Sequence, residues 1–305
     1  MMMTNGWTGA QYSLLRVALG LYVAAGITWS LLAGSRMPTE VVVAFIVATA
    51  AALAFVLGFK DRVAAVVVAA LIGRLQPVVG GLLLVHALAV PSAPYGSWDA
   101  RGRLDPGGGW TMPWRALMCF RVVAACACYW AYVAVRQPGV GGAQVADIAL
   151  VMTLALAFAI DPSWLGESAR REPSLVLYDG QCGFCHGWIR LLVAEDTDGH
   201  RFRFAPLQGE RAQQALTEEE RRAVGDTVVV VTPERRVLSR SEAAIHIGES
   251  LGGWWRLPTL AARLTPRAVR DAAYDAVARV RHRLASPPKE ACPILPKPLR
   301  ERFEV

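Results

Sequence analysis

Five long apolar runs constrain this chain more than any other feature. They cover residues 14–34, 41–58, 63–90, 114–135 and 145–160, most of the first half. About 20 mostly apolar residues in a helix are enough to cross the hydrocarbon core of a bilayer. The charges fall accordingly: residues 1–166 hold 10 of the 32 Lys and Arg and 6 of the 25 Asp and Glu, and residues 167–305 hold the rest. The predicted architecture is an α-helical membrane bundle of about five spans over residues 1–166. A polar linker over 167–173 then leads to an α/β domain of ordinary composition over 174–305, ending in a helical extension. This asymmetry excludes intrinsic disorder, a collagenous fibre and a small disulfide-stapled fold. The net charge of +7 is spread over both halves without a basic run, which argues against nucleic acid as a partner and for a lipid bilayer. The first residues lack a basic n-region, so no cleavable signal peptide is expected.

Within the third run Gly73, Arg74, Gln76 and Pro77 interrupt the pattern, which predicts a kinked span or a short re-entrant piece followed by a span. Ionisable groups at membrane depth are functional candidates because each costs roughly 2.5–3.5 kcal/mol to insert. Arg16 and Asp147 lie near run ends, where they are expected to reach the interface. Arg74, His86 and Arg121 are the candidate polar site of the membrane half, against the plainer readings of structural pairing for the arginines and a satisfied interior position for His86. Cys119, Cys126 and Cys128 share the fourth run; as small apolar residues they are expected to be buried, the alternative being a redox relay. Residues 91–113 read as an interfacial loop carrying Tyr95, Trp98 and Trp110, with Trp114 just beyond. Counting Arg and Lys across five spans, six against four place the second half on the cytoplasmic side.

The second half opens with an apolar strand at 175–178, followed by Asp179-Gly180-Gln181-Cys182-Gly183-Phe184-Cys185-His186 and a helical pattern over 187–194. Two cysteines three apart at a helix start bring their sulfurs within disulfide reach. The free N–H groups and positive dipole end favour the thiolate of the first. Cys182 is thus the candidate nucleophile and Cys185 the resolving thiol. Asp179 either relays a proton or caps the turn; His186 either promotes the thiolate or is an ordinary helix residue. A zinc site would need two more ligands at short spacing, and none follow, so no metal is expected. Further strands are predicted at 202–205, 227–232 and 237–238, with Ser241 capping a helix through Ile247. Cys292, in a Pro-rich tail, is a candidate third redox thiol.

Residues 175–210 resemble the DCC family of thiol-disulfide oxidoreductases, whose Asp-x-x-Cys-x-x-Cys signature is here Asp179, Cys182 and Cys185. The resemblance continues through residues 226–230, Ser241, Ala244, Tyr274, Asp275, Ala278, Arg279 and Arg281 to Cys292, with Val280 and His282 departing from the family pattern. It implies a thioredoxin-like fold and disulfide exchange with a protein or small-thiol substrate. The first half is similar to the horizontally transferred transmembrane domain of vitamin K-dependent carboxylases, at residues 15–20, 77–91, 97–101 and 161–164, with a DoxX-like bundle as the alternative. Together these imply a multi-pass membrane protein-disulfide reductase that requires no cofactor and leaves room for a quinone as electron partner. The competing readings are a transport or lipid-handling protein with a redox-sensing soluble domain, and a non-exchanging scaffold.

Overall fold

A computed structural model describes residues 5–33, 37–166, 172–225, 227–284 and 297–304. The chain forms two compact units, Met1–Arg101 with Trp110–Asp161, and Gly102–Gly109 with Pro162–Val305.

The first unit is helical: α1 (Gly9–Ala33), α2 (Thr39–Leu57), α3 (Asp61–Ile72), α4 (Pro77–Ala89), α5 (Trp114–Val135) and α6 (Gly142–Ala159). Four of these, α1, α2, α5 and α6, are long and apolar enough to cross a membrane. The third apolar run is divided. α3 and α4, of 12 and 13 residues, pack on each other across a break at 73–76. At 1.5 Å per residue each spans about 20 Å, short of the roughly 30 Å hydrocarbon core. Pro77 stands at the first position of α4, where its missing N–H costs nothing, whereas continuing α3 through it would remove a hydrogen bond and clash. Glycine lets the two helices approach: a Cβ on Gly80 would lie 2.8 Å from Gly73 Cα.

The interior of this unit is aromatic and aliphatic, built on Tyr12, Leu19, Phe55, Leu82, Leu83, Leu117, Phe120 and Phe158. Its outer faces are also apolar, with Trp29, Leu32, Ile46, Leu88, Val122 and Tyr129 exposed. Two sequence expectations are corrected here. Arg16 does not reach an interface but is fully buried (0% exposed), its Nη1 donating to the carbonyls of Phe55 and, at 3.0 Å, Val56 at the end of α2. Phe55 O also accepts from the Gly58 N–H at the C-cap, at 3.1 Å, and the guanidinium adds a cation to the negative end of the α2 dipole. Cys119, Cys126 and Cys128 are exposed on the outside of α5, not buried, because Ala116, Leu117, Phe120, Ala124 and Ala127 take the inward stripe.

In the second unit the elements run β1 (Ser174–Tyr178), α7 (Gly183–Glu195), β2 (Phe202–Pro206), α8 (Glu210–Ala215), α9 (Glu218–Val224), β3 (Val229–Val231), β4 (Val237–Ser239), α10 (Arg240–Leu251), α11 (Arg256–Leu264), α12 (Arg267–Leu284) and α13 (Lys297–Arg300). The sheet is mixed, in the order β2-β1-β3-β4. β1 and β2 are parallel, with Val176 opposite Phe204, and α7 makes the crossover that a parallel pair requires. β3 is antiparallel to both β1 and β4. Alternation along β1 sends Val176 and Tyr178 to one face, packed with Ile189, Leu192, Val193, Ala243 and Ile247 of α7 and α10. Leu175 and Leu177 face the other way, toward Ala212 and Ala215 of α8. Both faces are covered, which is why β1 and β3 read as unbroken apolar runs.

The outer edge of β2 is also covered. Phe204 N–H donates to Arg302 O and Glu304 N–H to Phe204 O, at 2.9 and 2.8 Å, and the side chains of Phe204 and Phe303 pack 5.2 Å apart. Inside this edge Arg302 meets the fully buried Asp196 at 2.6 Å. Ser241 is not the cap expected of it: α10 follows β4 directly, the residue before the helix is Ser239, and the Ser241 hydroxyl donates to Asp271 of α12.

Candidate active site

The loop leaving β1 is held by Asp179. Its Oδ1 accepts from the Gln181 N–H at 2.9 Å, an Asx turn, and from Gln208 Nε2 at 3.2 Å. Gln208 returns its own oxygen to the Gly180 N–H at 3.2 Å. The second oxygen of Asp179 faces Arg281 Nη2 of α12 at 3.6 Å, and both side chains are buried. Asp179 is thus bonded as a turn cap and an ion-pair partner. Cys182 follows as the residue preceding α7, its Sγ accepting from the Cys185 N–H at 3.4 Å. This is the position at which a helix offers unused N–H groups and the positive end of its dipole to a side chain.

Both cysteines are free and buried, Cys182 at 1% exposure and Cys185 at 4%. Cys182 is therefore not the more exposed of the pair. Burial pushes the Cys185 thiol up to about 12, with its hydrogen bond to Cys182 and the charge of that neighbour acting the same way; Arg281 opposes the shift and Asp179 adds to it. Cys185 accordingly holds its proton at neutral pH. His186 is half-buried, its Nε2 sharing a 2.9 Å hydrogen bond with Gly180 O and its ring meeting Tyr178 edge-on at 5.5 Å. That bond directs the imidazole into the turn. The cation acting on the dithiol is Arg281, a residue to which sequence reasoning gave no role. Its spacing, two helix turns beyond Tyr274, was the signal: Tyr274 and Arg281 lie seven apart on one face of α12, and the Tyr274 hydroxyl accepts from the Val228 N–H at 3.0 Å. Cys292 lies outside the described residues.

The candidate polar residues of the first unit do not come together. Arg74 is exposed at the break between α3 and α4. Arg121 is half-buried, its Nε donating to Ala159 O at 3.2 Å and its guanidinium 5.7 Å from the Trp114 ring. Only His86 is deep inside, between the Tyr12 hydroxyl at 2.7 Å from Nδ1 and the Asp61 carboxylate at 3.6 Å from Nε2. Tyr12 and Asp61 were not anticipated; Asp61 stands between Lys60 and Arg62 and has the look of a solvated loop.

Comparison with known proteins bears on the second unit. The model of the DCC1-like thiol-disulfide oxidoreductase family matches residues 176–286. The chain is 31% identical over 130 residues to the uncharacterized protein YuxK of Bacillus subtilis (strain 168), an alignment covering 42% of this chain and 92% of that protein. No solved structure matches.

Proposed function

The chain belongs to the DCC1-like thiol-disulfide oxidoreductase family, and from that premise we propose that Cys182 and Cys185 are its redox pair, in a membrane-anchored protein-disulfide reductase. The observation that carries this is the placement of Cys182 before α7 with Cys185 one turn on. Supporting the thioredoxin-like reading are the order β2-β1-β3-β4 and the site at the end of an inner strand.

In the exchange, the Cys182 thiolate attacks one sulfur of the partner's disulfide and the other sulfur leaves as a thiolate. Cys185 then gives up its proton and attacks Cys182 Sγ in the mixed disulfide, and the partner's first sulfur leaves in turn. Two electrons pass to the partner, which ends as two thiols; this protein ends with a Cys182–Cys185 disulfide, restored by the reverse exchange with a dithiol. The helix start offers its N–H groups to the attacking sulfur, and Arg281 lowers the cost of charge on Cys185 when it attacks in turn. Asp179 holds Arg281 and the turn in place. The raised Cys185 thiol keeps its proton until the first bond has formed. Cys292 is proposed as a third exchanging thiol.

The first unit is the anchor, in the manner of the transferred transmembrane domain its motifs resemble. Four crossings, with α3 and α4 returning to the side they left, put Lys60, Arg62, Arg101, Arg103 and Arg115 on the side of the second unit, against Arg136. That bias supports a cytoplasmic second unit. A membrane quinone is the electron partner proposed for the bilayer side, and the buried group Tyr12, Arg16, Asp61 and His86 supports it. The same group favours the second reading, a transport or lipid-handling protein whose dithiol senses redox state.

Thiol trapping of the full chain in glutathione buffers of graded potential is the test. A reversible two-electron couple between about −270 and −120 mV, lost in Cys182→Ser and Cys185→Ser, is expected; a chain that forms no Cys182–Cys185 disulfide at any poise overturns the proposal.

A further inference from the structure

α11 presents a stripe of leucines to the outside. Leu257, Leu260 and Leu264 are 47%, 57% and 80% exposed, and at 100° per residue they fall within about 60° of one another. The opposite face is seated: Thr259 is buried, and a Cβ added to Gly248 of α10 would lie 2.4 Å from its Cγ2. The helix, Arg-Leu-Pro-Thr-Leu-Ala-Ala-Arg-Leu, carries two arginines and no acid, side by side on one flank of the stripe; Arg263 is paired with Glu249 of α10, which leaves Arg256 as the basic group of that flank. A short helix with an apolar face and a basic flank has the composition of an interfacial element.

A second observation says what covers it. Arg256 Nη1 donates to Leu165 O at 2.9 Å, and Gly253 N–H to Gly166 O at 3.3 Å. The start of α11 is thereby tied to a 3₁₀ turn, Pro162–Leu165. That turn begins two residues beyond Ile160, where α6, the last helix of spanning length, stops. Five residues of chain reach at most about 18 Å. Trp164, within that stretch, is 68% exposed, and tryptophan concentrates at the headgroup layer. A face of nine residues is also far smaller than the roughly 800 Å² per partner of a stable protein interface.

We propose that α11 lies in the headgroup layer of the bilayer, with Leu257, Leu260 and Leu264 inserted among the lipids and Arg256 beside anionic headgroups. This rests on the reading that the four long helices cross a membrane. Its consequence is that the dithiol unit is held at the lipid surface at two points, by the α6 connection and by α11.

The experiment uses the full chain in nanodiscs of phosphatidylcholine and phosphatidylglycerol, one chain per disc, with the six native cysteines replaced by alanine and one spin label introduced. Labels enter at Leu264→Cys, at Ile46→Cys on the outer face of α2, and at Glu218→Cys on exposed α9. Collision with a water-soluble nickel chelate is expected at 218, lost at 46 and lost at 264, while oxygen collides at both of the latter. Loss at 46 with full nickel access at 264 overturns the α11 proposal alone; nickel access at 46 overturns membrane anchoring itself. Loss at 264 only in discs holding two chains assigns the face to a second copy and also overturns the proposal. With the native cysteines retained, Leu260→Glu with Leu264→Glu is expected to speed hydrogen exchange over 256–264 in nanodiscs and to leave β1 and β2 unchanged; unchanged exchange over 256–264 counts against the proposal.

Discussion

The two units solve opposite problems with the same physics. In the first, aliphatic and aromatic side chains cover the outside while Arg16, Asp61 and His86 are buried. In the second, Arg and Glu cover the outside and the interior holds Val176, Phe202, Phe204 and Val230. Each puts on its surface what its solvent tolerates, and each must pair whatever charge it buries. The contrast teaches that an exposed apolar residue carries no meaning until the solvent is specified.

The largest expected effect concerns the charge buried in the second unit. Asp196 receives Arg302 and Arg201 and the N–H groups of Arg201 and Phe202. Asp196→Asn leaves the Arg302 guanidinium buried without its counter-charge and is expected to cost about 3–5 kcal/mol in urea titration of the second unit. A change under 1 kcal/mol would show that this interior is wetter than its packing implies.

The sharpest test of the two-solvent contrast uses two valines of equal exposure. Val47, midway along α2, and Val277, on α12, are each 47% exposed. Val47→Lys is expected to cost roughly 2.5–3.5 kcal/mol in an insertion assay, whereas Val277→Lys shifts stability by no more than about 0.5 kcal/mol. Equal small effects at both positions would erase the distinction between the units.

Removing the cation beside the dithiol comes next. In Arg281→Met the pH at which the pair becomes reactive to iodoacetamide is expected to rise by about one to three units, with Arg281→Lys recovering much of the shift. An unchanged profile in a folded variant would leave the helix start as sufficient.

The last effect is on stability against pH. The Cys185 thiol is raised to about 12 in the fold, against about 8.5 in an unfolded chain. Stabilisation from the neutral thiol is therefore fully present below pH 8.5 and lost as pH climbs toward 12, at about 1.4 kcal/mol per pH unit. Denaturant midpoints of the reduced chain should fall over that window, and those of Cys185→Ala should not fall by this amount.

Much of this was legible beforehand. Apolar runs located α1, α2, α5 and α6, and short apolar runs rich in β-branched residues located β1 to β4, because such patterning is a local signal. Cys182 and Cys185 were legible because three-residue spacing at a strand–helix junction is itself geometry. The burial of Arg16 was not, since it depends on the carbonyls of Phe55 and Val56 some forty residues away. Nor was the place of Arg281, which reaches Asp179 from a helix about a hundred residues later. The outward set of Cys119 escaped for a related reason: in an all-apolar helix the pattern does not say which side faces protein.

The strip formed by residues 302–304 along β2 has a consequence in time. β2 is complete once residue 206 has been made, yet its outer edge stays open until almost a hundred further residues have left the ribosome. During synthesis the nascent domain carries an unpaired strand edge of the kind that recruits other strands, beside a membrane where sister chains are being inserted. Order of synthesis therefore makes residues 302–304 the segment that ends this edge's vulnerability to misassembly.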